Sequence, residues 1–278
     1  MKIFAPTYFK DFKCTAQNCK NNCCIGWEID VDSKTLEFYK TKSEIIEKIA
    51  FQDTPHFILG EYRRCPFLEK NNLCYIIKNY GEENLCQICS DHPRFRSFFD
   101  SRTEIGLGLT CEAAARLIFE RDFELYEIGE DSIKEFKNSR EEEFFIEREN
   151  IFKSDFDSFS SLVPKIALKD VYSLLSSLER LDTKWDKFLS NIKDSSLLLN
   201  RTEIEDKTTA KRLLNYFVFR HYHNFSINFC LACTYIIFSV GTDLYEAARL
   251  FSSEIEYSDE NLYALSEFFD RYSTYREF

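Results

Sequence analysis

The chain has 278 residues, 44% of them hydrophobic and 16% aromatic, with eleven cysteines and a formal net charge of −11. That apolar content fills one large core or two small ones, which excludes a disordered chain and the small secreted class held together by disulfides. The charge is uneven: residues 1–111 carry fifteen Lys and Arg against fifteen Asp and Glu, whereas residues 112–278 carry 21 against 32, a balance that repels a nucleic-acid backbone and tolerates or attracts a cationic protein segment.

In chain order, Met1-Lys2-Ile3-Phe4-Ala5-Pro6 shows no apolar h-region and no small-residue cleavage site. A secretory signal is therefore not expected, and a cytoplasmic chain with reduced thiols is. Nine cysteines follow within the first 111 residues: Cys14, Cys19, Cys23, Cys24, Cys65, Cys74, Cys86, Cys89 and Cys111. Cys23 and Cys24 are adjacent, and adjacent cysteines bridge each other only under strain. Closely spaced thiolates can converge on one soft metal ion or an iron–sulfur cluster, so all nine are candidate metal ligands. Structural zinc favours paired C-x2-C knuckles, and only Cys86-Gln87-Ile88-Cys89 has that form. The irregular remaining spacings suit an iron–sulfur cluster, with zinc as the alternative. Nine thiols exceed what one cluster needs, so either there are two centres or several thiols are not ligands. A helix is expected from Leu36 to Ala50 within an otherwise loop-rich part whose order depends on metal.

Five of the seven glycines and four of the five prolines precede residue 111. Beyond it the pattern is helical. Ala114, Leu117, Ile118 and Leu125 form one apolar stripe, Val171, Leu174, Leu175, Leu178 and Leu181 a second, and Leu214, Phe217, Val218 and His221 a third, with further helix near 258–275. Ile227 to Val240 is the most apolar stretch; it is too short to span a bilayer, so it reads as a buried helix and no membrane partner is expected. Cys230 and Cys233 lie within it as small hydrophobes. The expected architecture is mainly α: a loop-rich, cysteine-dense, metal-binding N-terminal lobe, residues 1–111, packed on a C-terminal helical bundle, residues 112–278.

One group of residues carries a resemblance: Cys14, Cys19, Cys23-Cys24, Gly26-Trp27, Cys65-Pro66-Phe67-Leu68, Cys74, Gly81-Glu82, Leu85-Cys86, Cys89, His92-Pro93-Arg94 and Cys111-Glu112-Ala113-Ala114. In this order they resemble the flagellin lysine N-methylase family, within the zinc- or iron-chelating proteins named for a C-x2-C-x2-C-C signature. The likeness extends more loosely to Asn215-Tyr216-Phe217-Val218-Phe219-Arg220-His221-Tyr222. It implies S-adenosylmethionine-dependent methyl transfer to surface lysines of a flagellin-like protein substrate, with an iron–sulfur cluster, [4Fe–4S] in the first instance, held by some of the cysteines. The first cysteines depart from the signature, with four and three intervening residues where it has two and two.

The familiar donor-binding architectures are incomplete in this chain. Gly106-Leu107-Gly108 lacks the third glycine of a nucleotide cradle and reads as a loop or strand end. Cys19-x3-Cys23 begins a C-x3-C-x2-C loop, but Gly26 stands where its third cysteine would be. Three residues are candidates for contacting the donor. Trp27 either lines its site or shields the metal, and Arg94 either grips a carboxylate or pairs with a nearby acid. Arg220 shares a helix face with Tyr216 and His223 that meets either substrate or the N-terminal lobe. His221 reads as a hydrogen-bonded core histidine. A reading of a different class is a non-catalytic iron or zinc carrier, or a scaffold for a partner protein.

Overall fold

A computed structural model describes residues 2–20, 23–129, 139–241 and 243–272. In chain order the regular elements are β1 (Lys2–Pro6), α1 (Ser33–Tyr39), α2 (Ser43–Ile46), β2 (Ile49–Ala50), β3 (His56–Phe57), α3 (Tyr75–Tyr80), α4 (Gln87–Asp91), β4 (Arg94–Phe98), β5 (Arg102–Leu107), α5 (Glu112–Glu120), β6 (Leu125–Ile128), α6 (Ser139–Lys153), α7 (Leu168–Ser177), α8 (Lys184–Leu189), α9 (Lys207–His221), α10 (Ile227–Val240), α11 (Leu244–Phe251) and α12 (Asp259–Asp270). The fold is mainly α, with one small sheet in the order β4-β5-β1-β6 and a two-stranded ladder of β2 and β3. Two compact units divide the chain. One comprises residues 13–95 and 111–113; the other comprises residues 1–12, 96–110 and 114–278.

The larger unit is built on its sheet and on α9 and α10. β1 pairs in parallel with β5, Phe4 opposite Glu104, and antiparallel with β6, Pro6 opposite Leu125. The pairing with Pro6 makes Leu125 a strand residue, not a continuation of the α5 stripe as its spacing predicts. The expected helix Ile227 to Val240 is present at those bounds as α10, buried on nearly every face, its Ser226 cap accepting from the Phe229 amide. It stops at Gly241, where a Cβ would stand 2.6 Å from the Phe188 ring. α7 ends before Leu178 and Leu181 because the buried carboxylate of Glu254 takes the amides of Leu181 and Asp182, at 2.9 and 2.6 Å. Of the helix expected near 258–275, Asp259–Asp270 is observed and 273–275 lie outside the described residues. Among the described residues, no helix is long and apolar enough to cross a membrane.

In the cysteine-rich unit the helix expected from Leu36 to Ala50 is broken into α1, α2 and β2. Asp32 caps α1, accepting from the Thr35 amide at 3.0 Å, and the same carboxylate accepts from Gln87 N at 2.8 Å at the start of α4. Burial opposes the Asp32 charge, but these amides hold its carboxyl below its ordinary value. The Thr41 hydroxyl donates to the Phe38 carbonyl at 2.7 Å, a local bond that competes with helix continuation.

Candidate metal centre

Backbone pairing brings the cysteine loops together. Gly26, at φ +90° in the left-handed region, donates to Arg63 O at 3.0 Å, and Cys65 N donates to Cys24 O at 2.8 Å. Cys74 faces Leu68 across a β-bridge, and Tyr75 N donates to Phe67 O at 2.8 Å. The Tyr39 hydroxyl, delivered by α1, donates to Asn84 O at 2.8 Å and lies 3.6 Å from Cys86 Sγ. Cys86 and Cys89 flank the first turn of α4. Four separate stretches of chain thus bring Cys24, Cys65, Cys74, Cys86 and Cys89 to one core, with the exposed Cys23 beside Cys24.

Each of these six thiols lies within electrostatic reach of at least three others. Cys86 is wholly buried and Cys65 nearly so, packed with Tyr39, Phe57 and Phe67; Cys24, Cys74 and Cys89 border the same cluster. Cys23 is exposed. Cys23 and Cys24 share a side-chain hydrogen bond that lowers the pKa of Cys23 and raises that of Cys24. Cys86 and Cys89 repeat the arrangement, Cys86 being the member lowered, with a further contribution from Tyr39. Burial pushes the Cys65 thiol up to about 11 and raises Cys74 as well.

The other three candidate ligands sit elsewhere in the unit. Cys14 is exposed, its sulfur accepting from the Ala16 amide at 3.4 Å. Cys19 donates to Glu112 at 3.9 Å, and the Lys20 amide reaches the same carboxylate oxygen at 3.0 Å. Cys111, half-buried, immediately precedes Glu112 at the start of α5.

In kind, six sulfur donors in an apolar, aromatic surround fit a soft metal or an iron–sulfur cluster. In spacing they form a gathered thiol core: among the described residues no three His, Cys, Asp or Glu side chains stand close enough to hold a metal ion. Tyr39 is a contact that cysteine spacing did not reveal, its only signal being a helical register that places it on the inner face of α1.

The three candidate donor contacts fall in different units. Trp27, half-buried, follows Gly26 in the cysteine-rich unit, and in that unit Arg94 donates to Ser90 O at 3.2 Å. Arg220 lies in the larger unit on α9, donating to the Tyr216 hydroxyl at 2.8 Å, with its Nε 3.4 Å from Glu256. Tyr216 donates to Glu256 at 2.9 Å, and His221 Nε2 lies 2.6 Å from the same carboxylate, the hydrogen-bonded core histidine that its place on the stripe predicts. Glu256 closes a π-helical turn, Ser252–Glu256, a type of distortion frequent at functional sites. Cys230 and Cys233 are fully buried in α10. Gly106 and Leu107 end strand β5.

The chain is similar to curated proteins of two names. Proteins named Lysine-N-methylase from Salmonella choleraesuis (strain SC-B67) and Salmonella typhimurium (strain LT2) are each 28% identical over 135 residues, covering 43% of this chain. The match spans only a third of their own length, 33% in each case. The Flagellar biosynthetic protein FliU of Salmonella muenchen is 26% identical over 133 residues, covering 43% of this chain and 79% of that protein. These similarities support the resemblance to the flagellin lysine N-methylase family. No protein-family profile and no solved structure matches the chain.

Proposed function

We propose that the protein is an S-adenosylmethionine-dependent protein lysine N-methyltransferase acting on flagellin-like surface lysines in the cytoplasm, with an iron–sulfur cluster held by thiols of the cysteine-rich lobe. The observation that carries this reading is the similarity to proteins named Lysine-N-methylase, 28% identical over 43% of the chain. It is supported by the convergence of five thiols from four stretches on one core, with Cys23 beside them, a set of soft donors drawn from distant parts of the chain.

Cys23, Cys24, Cys65, Cys74, Cys86 and Cys89 are the residues proposed to hold the cluster, from which Cys14, Cys19 and Cys111 stand apart. An iron–sulfur cluster with an open iron supplies a Lewis-acidic site for amino and carboxylate groups. The chain's own part is to bury the thiols behind Tyr39, Phe57 and Phe67 and so limit their contact with water. Trp27 and Arg94 are proposed to meet the donor, the indole face suiting a sulfonium cation and the guanidinium suiting its carboxylate. A lysine accepts a methyl group only as the neutral amine, so the substrate nitrogen must be desolvated or deprotonated on binding.

The alternative is a non-catalytic iron or zinc carrier or scaffold, favoured by the incomplete glycine-rich turn at Gly106-Leu107-Gly108, which ends a strand. Anaerobic purification with metal analysis, absorption spectroscopy and titration with S-adenosylmethionine separates the two. The proposal expects stoichiometric iron, absorption near 400 nm and transfer of labelled methyl groups to flagellin. Bound zinc without donor binding would leave the scaffold reading in its place.

A further inference from the structure

The thiols of the cysteine-rich unit meet in pairs. Among the described residues no three metal-ligating side chains stand close enough to hold an ion, yet Cys23 with Cys24 and Cys86 with Cys89 are each within hydrogen-bonding reach, sulfur to sulfur. Two thiols so placed can share a metal, or they can share a bond. The backbone decides which pair can do the second.

Cys23 and Cys24 are consecutive, and a bond between them closes a small ring only under strain. Cys86 and Cys89 stand across the first turn of α4, with Cys86 as its N-cap residue, so both sulfurs lie on one face of the turn. That turn is also held from outside. From α1 the Tyr39 hydroxyl donates to Asn84 O at 2.8 Å and the Thr35 hydroxyl to Leu85 O at 3.4 Å, while the Asp32 carboxylate before α1 accepts from Gln87 N at 2.8 Å. Within the turn, the Ser90 amide and hydroxyl both donate to Cys86 O, at 3.0 and 3.2 Å. Sulfurs held together in this way react with each other at high effective concentration, which favours an intramolecular disulfide over a mixed one.

Access to the two thiols is unequal. Cys86 is 0% exposed and lies against the Tyr39 hydroxyl, whereas Cys89 is half-buried. Cys89 is therefore the sulfur that an outside reagent meets first.

We propose that Cys86 and Cys89 form a reversible dithiol–disulfide couple, oxidised by a low-molecular-weight disulfide of the glutathione class, whose closed form withholds two donors from a metal. Cys89 Sγ, as thiolate, attacks one sulfur of the oxidant, whose S–S bond breaks to release one small thiol. Cys86 Sγ then attacks Cys89 Sγ in the mixed disulfide and expels the second. Two electrons pass from the two cysteines to the oxidant, and the two cysteine protons end on the two released thiols. Excess dithiol reverses both steps. Competition with a metal rests on the cluster-binding reading; the bond itself does not.

The test is disulfide mapping by mass spectrometry on the full chain, stripped of metal by chelation under anaerobic reducing conditions, equilibrated in glutathione buffers and alkylated. The expected result is a Cys86–Cys89 bond, populated about tenfold or more over any other pairing and reversed by dithiothreitol. In Cys89→Ala, Cys86 should stay reduced in the same buffers. Equal pairing of Cys86 with Cys65 or Cys74, a persistent glutathione adduct on Cys89, or both thiols still reduced in oxidised glutathione alone would overturn the couple. Iron uptake by the two forms is the second readout: the reduced chain should load, and the oxidised chain only after dithiothreitol. Equal loading of both forms overturns the competition. If neither form loads, the cluster reading fails and the competition falls with it, while the mapped bond still decides the couple.

Discussion

The two units bury different chemistry. The larger one buries charge: Glu104 is 0% and Arg148 1% exposed, joined by hydrogen bonds of 2.8 and 2.5 Å, and Glu256 lies with Arg220 and His221. Within residues 13–95 every buried residue among those described is apolar or a thiol. Cysteine is used differently as well. Cys230 and Cys233, three residues apart on one helix, are packed as small hydrophobes, whereas five thiols of the other unit arrive from separate stretches and border one core. Convergence from distant parts of the chain, more than burial, distinguishes a donor set from packing.

Removing one partner of a buried ion pair strands the other, so the largest effect is expected from Arg148→Ala. That change leaves Glu104 with Arg102 alone, at 2.5 Å, and empties a site ringed by Phe99, Phe144, Phe145, Phe152 and Phe219. About 3–5 kcal/mol should be lost in denaturant titration; a loss under about 1 kcal/mol would mean that burying charge in this unit is incidental.

Next in size is the contrast between thiols. If the six form a donor set, Cys86→Ser should abolish iron binding and amide protection in residues 13–95, measured by metal analysis and hydrogen exchange. Cys230→Ala should cost only about 1 kcal/mol and leave metal content intact. Equal behaviour of the two variants would erase the distinction between units.

Acid should weaken the larger unit through Glu256. Burial opposes its charge, but Arg220 and His221 outweigh that and hold its carboxyl at about 2. A depressed carboxylate contributes stability that is fully present above its unfolded value near 4.3 and is lost as pH falls towards the folded value. Unfolding midpoints of the wild type should therefore drop between about pH 4.5 and 2, and Glu256→Gln should flatten that slope. The smallest effect belongs to the exposed pair of Lys153 and Glu149, 2.6 Å apart on α6. Lys153→Ala should change stability by no more than about 0.5 kcal/mol, and that little should vanish in salt.

Much of the helical part was legible before any coordinates. α9 carries the stripe that a 3.6-residue repeat predicts and α10 has the bounds of the most apolar run, because both signals are local properties of the chain. The sheet was not legible: β1 and β5 are about a hundred residues apart, and their parallel pairing is a contact between distant segments. The break between α1 and α2 was hidden because apolar residues recur on both sides of Lys40–Lys42, at Phe38 and Tyr39 and again at Ile45 and Ile46, while a threonine side chain captures the local carbonyl.

For the site, the sequence determined which atoms are available: nine clustered cysteines, soft donors whose chemistry is a property of sulfur, and an acidic excess confined to residues 112–278. Only the tertiary structure decided that five of those thiols share a core with Tyr39 while Cys23 is exposed and Cys19 lies at Glu112. Which side chains meet depends on how loops are paired and what they bury, and those are long-range outcomes that no local spacing encodes.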